Sequence, residues 1–440
     1  MNDIDLRKFA GMNNVSSTFS NKEGITPKIL LNADVDDSGQ PKIRAGFTLF
    51  LALPGAHSLK GFDSCLLCAA NGKLYELSTG TAVELATISG PTDEIDGHID
   101  YVLCEDKIYI SNLYWRGVFS TSARTVSSWG IDLPPGPMLI SANGNLPAGT
   151  YHVCFTTLSG TEISGNGAIG QIVLSEEGGI QILNRPASSL VWVTEKDEPV
   201  FYQVGATDII TSIPTSEPLP TFLCGPPPNM TNLMYAFGRL WGSVGSTVYY
   251  SEPYRPGLFN LNTNKFDFIS DITLLASVPT GIFVGTDEAT LFLAGTDPKK
   301  MTESRAGAGS VKWTLEYCNN VPYLADILGT SEKVFTDVPI WRTHDGIVAG
   351  NISGRLFNLT KDKLRMGKVS KGASLFHQLN GYFTYLTSSS SGDGNIDSET
   401  RTIFKNKRLL LNNVAKRGMA DRIGMTETFE CEVWRDGKQI

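Results

Sequence analysis

Cys65 and Cys68 stand at the CxxC spacing that can hold a zinc ion or cycle as a dithiol. The run around them, Cys65-Leu66-Leu67-Cys68, is a short apolar stretch of strand character. On a strand, residues i and i+3 point to opposite faces, so these two thiols are expected in core packing rather than at one site. Seven cysteines are scattered along the chain, an odd count that fits free buried thiols in a reducing compartment.

Other candidate chemistry fails on context. Gly165-Asn166-Gly167-Ala168-Ile169-Gly170 matches GxGxxG, but a dinucleotide loop opens a helix, and Gln171 to Leu174 reads as a strand. Asp393 to Glu399 has the opening cadence of a calcium loop, yet Ser398 and Phe404 occupy the positions that need Gly and Glu. Asp34 to Gly39 fails likewise, with Ala45 at the twelfth position, and reads as a polar turn. The five histidines, His57, His98, His152, His344 and His377, show no HExxH spacing, and neither a GxSxG serine nor a GxxxxGK[ST] loop is present. No catalytic residue, metal or cofactor is expected.

Two basic clusters remain. Lys361, Lys363, Arg365, Lys368 and Lys371 lie within eleven residues. Arg401, Lys405, Lys407, Arg408, Lys416, Arg417 and Arg422 follow, around the aliphatic Leu409-Leu410-Leu411. They read either as a solvated rim or as a docking surface for an acidic neighbour. On the docking reading the interface candidates are Lys363, Arg365, Lys368, Arg408, Leu410 and Arg417, joined by Leu6, Arg7 and Phe9 near the N-terminus.

The elements that would carry such surfaces are hairpins. Five times an apolar run leads through a turn into an aliphatic-aromatic pair: Cys65–Cys68 into Leu74-Tyr75, Tyr101–Cys104 into Ile108-Tyr109, Leu240–Ser243 into Val248-Tyr249, Ile282–Gly285 into Leu291-Phe292, and Ile347–Gly350 into Leu356-Phe357. A hairpin cannot bury its face alone, so repeated copies must stack, as in a β-propeller with about 40 to 50 residues per blade. The step from Tyr249 to Phe292 is 43 residues, whereas Tyr109 to Tyr249 is 140. Within that excess, Pro134-Pro135-Gly136-Pro137 and Pro226-Pro227-Pro228 bracket residues 138–225. The bracketed segment reads as short strands (149–157, 171–174, 180–183, 190–194 and 201–204), which fits a small sandwich of immunoglobulin or fibronectin type III character.

The expected organisation is therefore all-β: an N-terminal arm and lead-in strand (1–60), first blades (61–137), an inserted sandwich (138–225), remaining blades (226–389) and a C-terminal loop and arm (390–440). With 41% hydrophobic and 19% charged residues, 440 residues have ample material for a core. A formal net charge of −8 argues against wrapping nucleic acid, where affinity comes from phosphate neutralisation. The N-terminal eight residues show no apolar stretch, so no signal peptide is expected, and no apolar run is long enough to span a membrane.

Two regions of the chain resemble a known family. Leu6-Arg7-Lys8-Phe9-Ala10-Gly11-Met12-Asn13-Asn14-Val15 precedes Asn32-Ala33-Asp34-Val35-Asp36 and Arg44-Ala45-Gly46-Phe47-Thr48. Gly238-Arg239-Leu240-Trp241 leads through Val248-Tyr249-Tyr250-Ser251-Glu252-Pro253 into Pro256-Gly257-Leu258-Phe259. Over residues 5–60 and 232–297 the chain is similar to β-propeller tail proteins of short-tailed bacteriophages, the nozzle, tubular-B and packaged-DNA-stabilisation group. Met12 and Ala45 depart from the pattern. The resemblance implies a structural virion protein, made in the host cytoplasm and assembled as a ring of identical subunits on portal, adaptor and other tail proteins. DNA would pass without sequence readout, with no membrane insertion. It also implies that the basic clusters face protein neighbours, and that removing residues 1–20 leaves a folded propeller that no longer assembles. The alternatives are a distal tail-tip or baseplate propeller and a host-glycan-binding propeller. A glycan site would draw on Trp115, Trp192, Trp241, Trp313 or Tyr254 as exposed rings beside clustered carboxylates.

Overall fold

A computed structural model describes residues 49–318, 337–360 and 369–390, apart from 94–95, 215 and 380–381, together with the strands at 33–35, 41–43, 402–406, 409–414, 434–435 and 438–439. The protein is all-β: a propeller interrupted by a β-sandwich. Among the described residues there are six four-stranded sheets.

Blade 1 runs Ala56–Phe62, Cys65–Ala70, Lys73–Ser78 and Thr81–Thr87, each strand antiparallel to the last. Blade 2 follows with Asp100–Cys104, Lys107–Ser111, Arg116–Ser120 and Thr125–Ser127. Blade 3 is Thr231–Ala236, Arg239–Val244, Thr247–Tyr250 and Lys265–Asp267. Blade 4 is Ile272–Val278, Gly281–Thr286, Ala289–Ala294 and Thr302–Ala308. Blade 5 is Glu316–Cys318, Val338–Thr343, Gly346–Gly350 and Leu356–Asn358. Blade 6 breaks the meander: Lys371–Leu379 and Tyr382–Ser390 are antiparallel, Leu409–Val414 then joins in parallel, and Thr402–Asn406 forms the edge. The expected C-terminal arm thus supplies two strands to a blade.

Each strand alternates its apolar residues between two faces, and the blades bury both. Leu67, Ala69 and Leu74 of blade 1 pack with Ile108, Ile110 and Phe119 of blade 2. Tyr109 and Val118 pack with Leu240 and Phe259 of blade 3, and Trp241 and Val248 with Ile282 and Val284 of blade 4. Cys65 borders the first of these clusters while Cys68 belongs to the opposite face with Ala70 and Leu77, as the strand spacing requires. Both are free thiols.

Three of the five expected hairpins are the second and third strands of a blade, and the copy at Ile347–Phe357 is a third and fourth strand. The copy at Tyr101–Tyr109 is a first and second strand. Its true counterpart is Val118-Phe119 on the third strand, 44 residues after Tyr75, which restores the spacing found later in the chain.

The insert is two packed sheets. Leu139–Leu146, Gly178–Ile182 and Ile209–Ile210 form one. Gly149–Ser159, Glu162–Ile163, Gly170–Leu174, Ser189–Thr194 and Phe201–Gly205 form the other. Leu139, Ile180, Ile182 and Ile210 meet Tyr151, Val153, Phe155 and Val191 between them. All five expected strands are present. Cys154 is buried mid-strand opposite Trp192.

Candidate functional site

The first strands of the six blades surround a cavity of about 1060 Å³ on the propeller axis. Near one end of these strands, hydrogen bonds carry each blade to the next. The Ser58 hydroxyl of blade 1 accepts from the Ile99 N–H (2.9 Å), ahead of blade 2. The Asp100 carboxylate accepts from the Asn232 N–H of blade 3 (2.7 Å), and the Asn232 amide donates to the Ile272 carbonyl of blade 4 (3.2 Å). Thr273 meets Ser310 hydroxyl to hydroxyl at 2.6 Å, and the Lys312 carbonyl accepts from the Gly372 N–H of blade 6 (2.9 Å).

The belt is made by bulges. The register between first and second strands shifts between His57 and Lys60, between Thr231 and Met234, and between Ile272 and Leu274. An extra residue there loses its ladder partner and re-aims its side chain sideways. Ser58 and Asn232 sit in the left-handed region, φ 52° and 55°. A polar residue breaking an apolar alternation was the sequence signal for this belt, but it resembles an ordinary loop residue.

Ser58, His98 and Asp100 look at first like an acyl-transfer constellation. The Ser58 oxygen lies 3.3 Å from His98 Nδ1, and His98 Nε2 lies 3.6 Å from an Asp100 oxygen. The second separation is too long for a hydrogen bond. Ser58 is also buried, and its oxygen already meets His57 Nδ1 at 2.9 Å and the Ile99 N–H. The arrangement joins blades and leaves no nucleophile to attack a substrate.

Two contacts cross the cavity. His98 stacks on Trp313, ring centroids 4.1 Å apart, and Lys60 Nζ lies 3.7 Å from Glu316. Burial pushes the Glu316 carboxyl up, and the Lys60 ammonium opposes that shift only in part. Among the described residues, no group of three or more His, Cys, Asp or Glu could hold a metal ion.

A second set of contacts fixes the insert. Trp129, buried between blades 2 and 3, donates its indole N–H to the Pro256 carbonyl (2.8 Å). Gly225, on the exit stem, exchanges two backbone hydrogen bonds with Phe259. The GxGxxG loop clasps both stems, since a Cβ on Gly165 would collide with the Cys224 carbonyl and one on Gly167 with the Pro134 carbonyl. Thr221 donates to the Ser164 carbonyl (2.7 Å), and the Leu223 N–H donates to Asn166 (2.7 Å). Leu219 of the exit stem covers the outer face of the five-stranded sheet, over Cys154 and Trp192. Among the described residues, nothing covers the outer face of the three-stranded sheet in this way. Met138, Ile140, Leu183 and Ile209 are exposed there around Gln181, in one register block.

Of the interface candidates, Leu6, Arg7, Phe9, Lys363, Arg365, Lys368, Arg408 and Arg417 lie outside the described residues, and Leu410 lies in the strand Leu409–Val414. The Asp393 to Glu399 loop also lies outside them. Of the candidate rings, Trp192 and Trp241 are buried, Trp115 packs against the core between blades 1 and 2, Tyr254 is 80% exposed, and Trp313 lines the cavity.

No protein-family model matches this chain, and neither does any curated protein. Among solved structures it is similar to BBS1N in complex with ARL6DN (11% identity, 79% of this chain and 92% of that one, TM-score 0.31). It is also similar to Saccharomyces cerevisiae Sqt1 (9%, 74% and 77%, 0.28) and to the computationally designed Ika8 protein (10%, 76% and 95%, 0.26). Likeness at this level says nothing of function, and the fold rests on the sheet order itself.

Proposed function

We propose that this chain is a non-enzymatic structural subunit of a bacteriophage tail, a nozzle or hub ring that extends the DNA channel and retains packaged DNA until ejection. Its partners on this reading are identical subunits, portal or adaptor and other tail proteins, and passing DNA that it does not read. It acts in the virion tail after synthesis in the host cytoplasm. The resemblance over residues 5–60 and 232–297 supports the reading, as does an acidic chain, which would not hold DNA through phosphate contacts.

The observation that carries it is the uncovered apolar sheet of the insert. Met138, Ile140, Leu183 and Ile209 face water in a single copy, whereas on the opposite sheet of the same sandwich the stem covers Cys154 and Trp192 and leaves Leu158 and Val173 exposed. A grouped apolar face of this kind fits a surface that neighbouring protein buries. Mass photometry of the purified protein, alone and with portal and adaptor proteins, tests the proposal. Symmetric rings are expected, and a monomer indifferent to those partners overturns it. The glycan-binding alternative is weaker, because two of its aromatic candidates are buried and His98 covers one face of Trp313.

A further inference from the structure

The axial cavity lies at the upper limit of small-molecule sites, which reach roughly 1,000 Å³ and are mostly apolar with a few convergent polar groups. Leu66, Val102, Leu233, Leu274 and Phe376 supply apolar wall from different blades. The charges that border it are unequal. Asp100, Glu316 and Asp337 are carboxylates, whereas Lys60 is the one lysine or arginine among the lining residues.

That cation is loosely held. Its 3.7 Å separation from Glu316 exceeds a hydrogen-bonded pair, and its side chain is 44% exposed against 18% for Glu316. A lysine in that state can turn its head to water, leaving a largely buried carboxylate for another cation. Trp313, flattened against His98, gives an aromatic wall of the kind that attracts cations. Tyr101 is another lining residue, and its hydroxyl is buried without a hydrogen-bond partner among the described residues.

From this geometry we propose that the axial cavity binds an organic ammonium ion with an apolar body, its nitrogen displacing the Lys60 head at Glu316 and its hydrocarbon lying along the blade walls. An anion of the same shape meets three carboxylates, and a neutral headgroup gains nothing from them. The proposal concerns one copy of the chain and does not depend on ring assembly.

Isothermal titration calorimetry on the full chain tests it with three probes sharing one hydrocarbon: n-hexylammonium, hexanoate and n-hexyl glucoside. Only the ammonium is expected to bind, and Glu316→Gln is expected to weaken it at least about fivefold, the loss of one charge contact. Asp337→Asn, at an exposed position, is a second variant that does not endanger folding and is expected to weaken binding in the same direction. Hexanoate or hexyl glucoside binding as tightly as the ammonium overturns the assignment, as does ammonium binding unchanged in both variants. A cavity that holds solvent only, with no heat from any probe, overturns it as well.

Discussion

The Ser58 oxygen meets three partners, and removing it leaves the Ile99 N–H buried without an acceptor. Ser58→Ala is therefore expected to destabilise the chain by about 1–3 kcal/mol, read as a lowered midpoint in denaturant. Binding-site chemistry should not change, because this oxygen ties blades together. The thiols separate by environment. Burial pushes Cys224 up to about 11 and Cys154 to about 12. Among the described thiols, alkylation at pH 8 should therefore label the half-buried Cys65 first and leave Cys154 untouched until the chain unfolds, as peptide mass mapping would show. These thiols keep their protons in the folded chain above the ordinary value of 9.0, where the unfolded chain has released them. Stability is then lost as pH rises through that window. Glu316 gives the same sign in the acid range. Its raised carboxyl holds a proton in the folded chain just above 4.5, so stability falls as pH rises there. Glu316→Gln should flatten that slope in a pH series of urea melts. The CxxC pair was legible from strand geometry alone, whereas the belt of Ser58, Asp100, Asn232 and Thr273 was not. Its residues act across sequence gaps of 37 to 132 that only the closed ring brings together.

At the scale of elements, the GxGxxG loop serves as the clasp between the sandwich and its two stems. Gly165→Val places side-chain atoms on the Cys224 carbonyl, so the stems must part. Limited proteolysis is expected to cut that variant within 130–137 or 219–228 well before the parent, while the blades stay resistant. Unchanged cleavage kinetics would remove the clasp as an explanation for these glycines. Much of this level could be read in the sequence. The proline runs marked the stems, and alternation gave five insert strands with nearly their observed bounds. Three short or irregular strands escaped. Glu162–Ile163 and Ile209–Ile210 are two residues each, too short to show a period, and Leu139–Leu146 carries a polar Ser-Ala-Asn-Gly-Asn run through a register shift. The second hairpin was misplaced by one strand because blade 2 has apolar residues on its first strand as well as its third. The sixth blade was missed because it departs from the meander, taking its third strand in parallel from beyond residue 390.

For the whole molecule, the exposed sheet of the insert is the feature on which assembly turns. Ile140→Glu with Ile209→Glu puts two charges on the outer face without touching the inner one, so folding should be unaffected. The expected outcome is a normal melting curve with rings reduced to single copies by mass photometry. Rings that survive both changes would move the interface elsewhere. The propeller itself has one more property. Among the described residues every blade is a continuous piece of chain and consecutive blades follow one another along it, and none borrows a strand from the other end of the sequence. Blades 1 and 6 both border the cavity, yet no peptide link crosses between them among the described residues. The circle is a folded ribbon with a seam. Under a load applied through its two ends, that seam is where the circle opens, and the terminal blades peel away before the inner four.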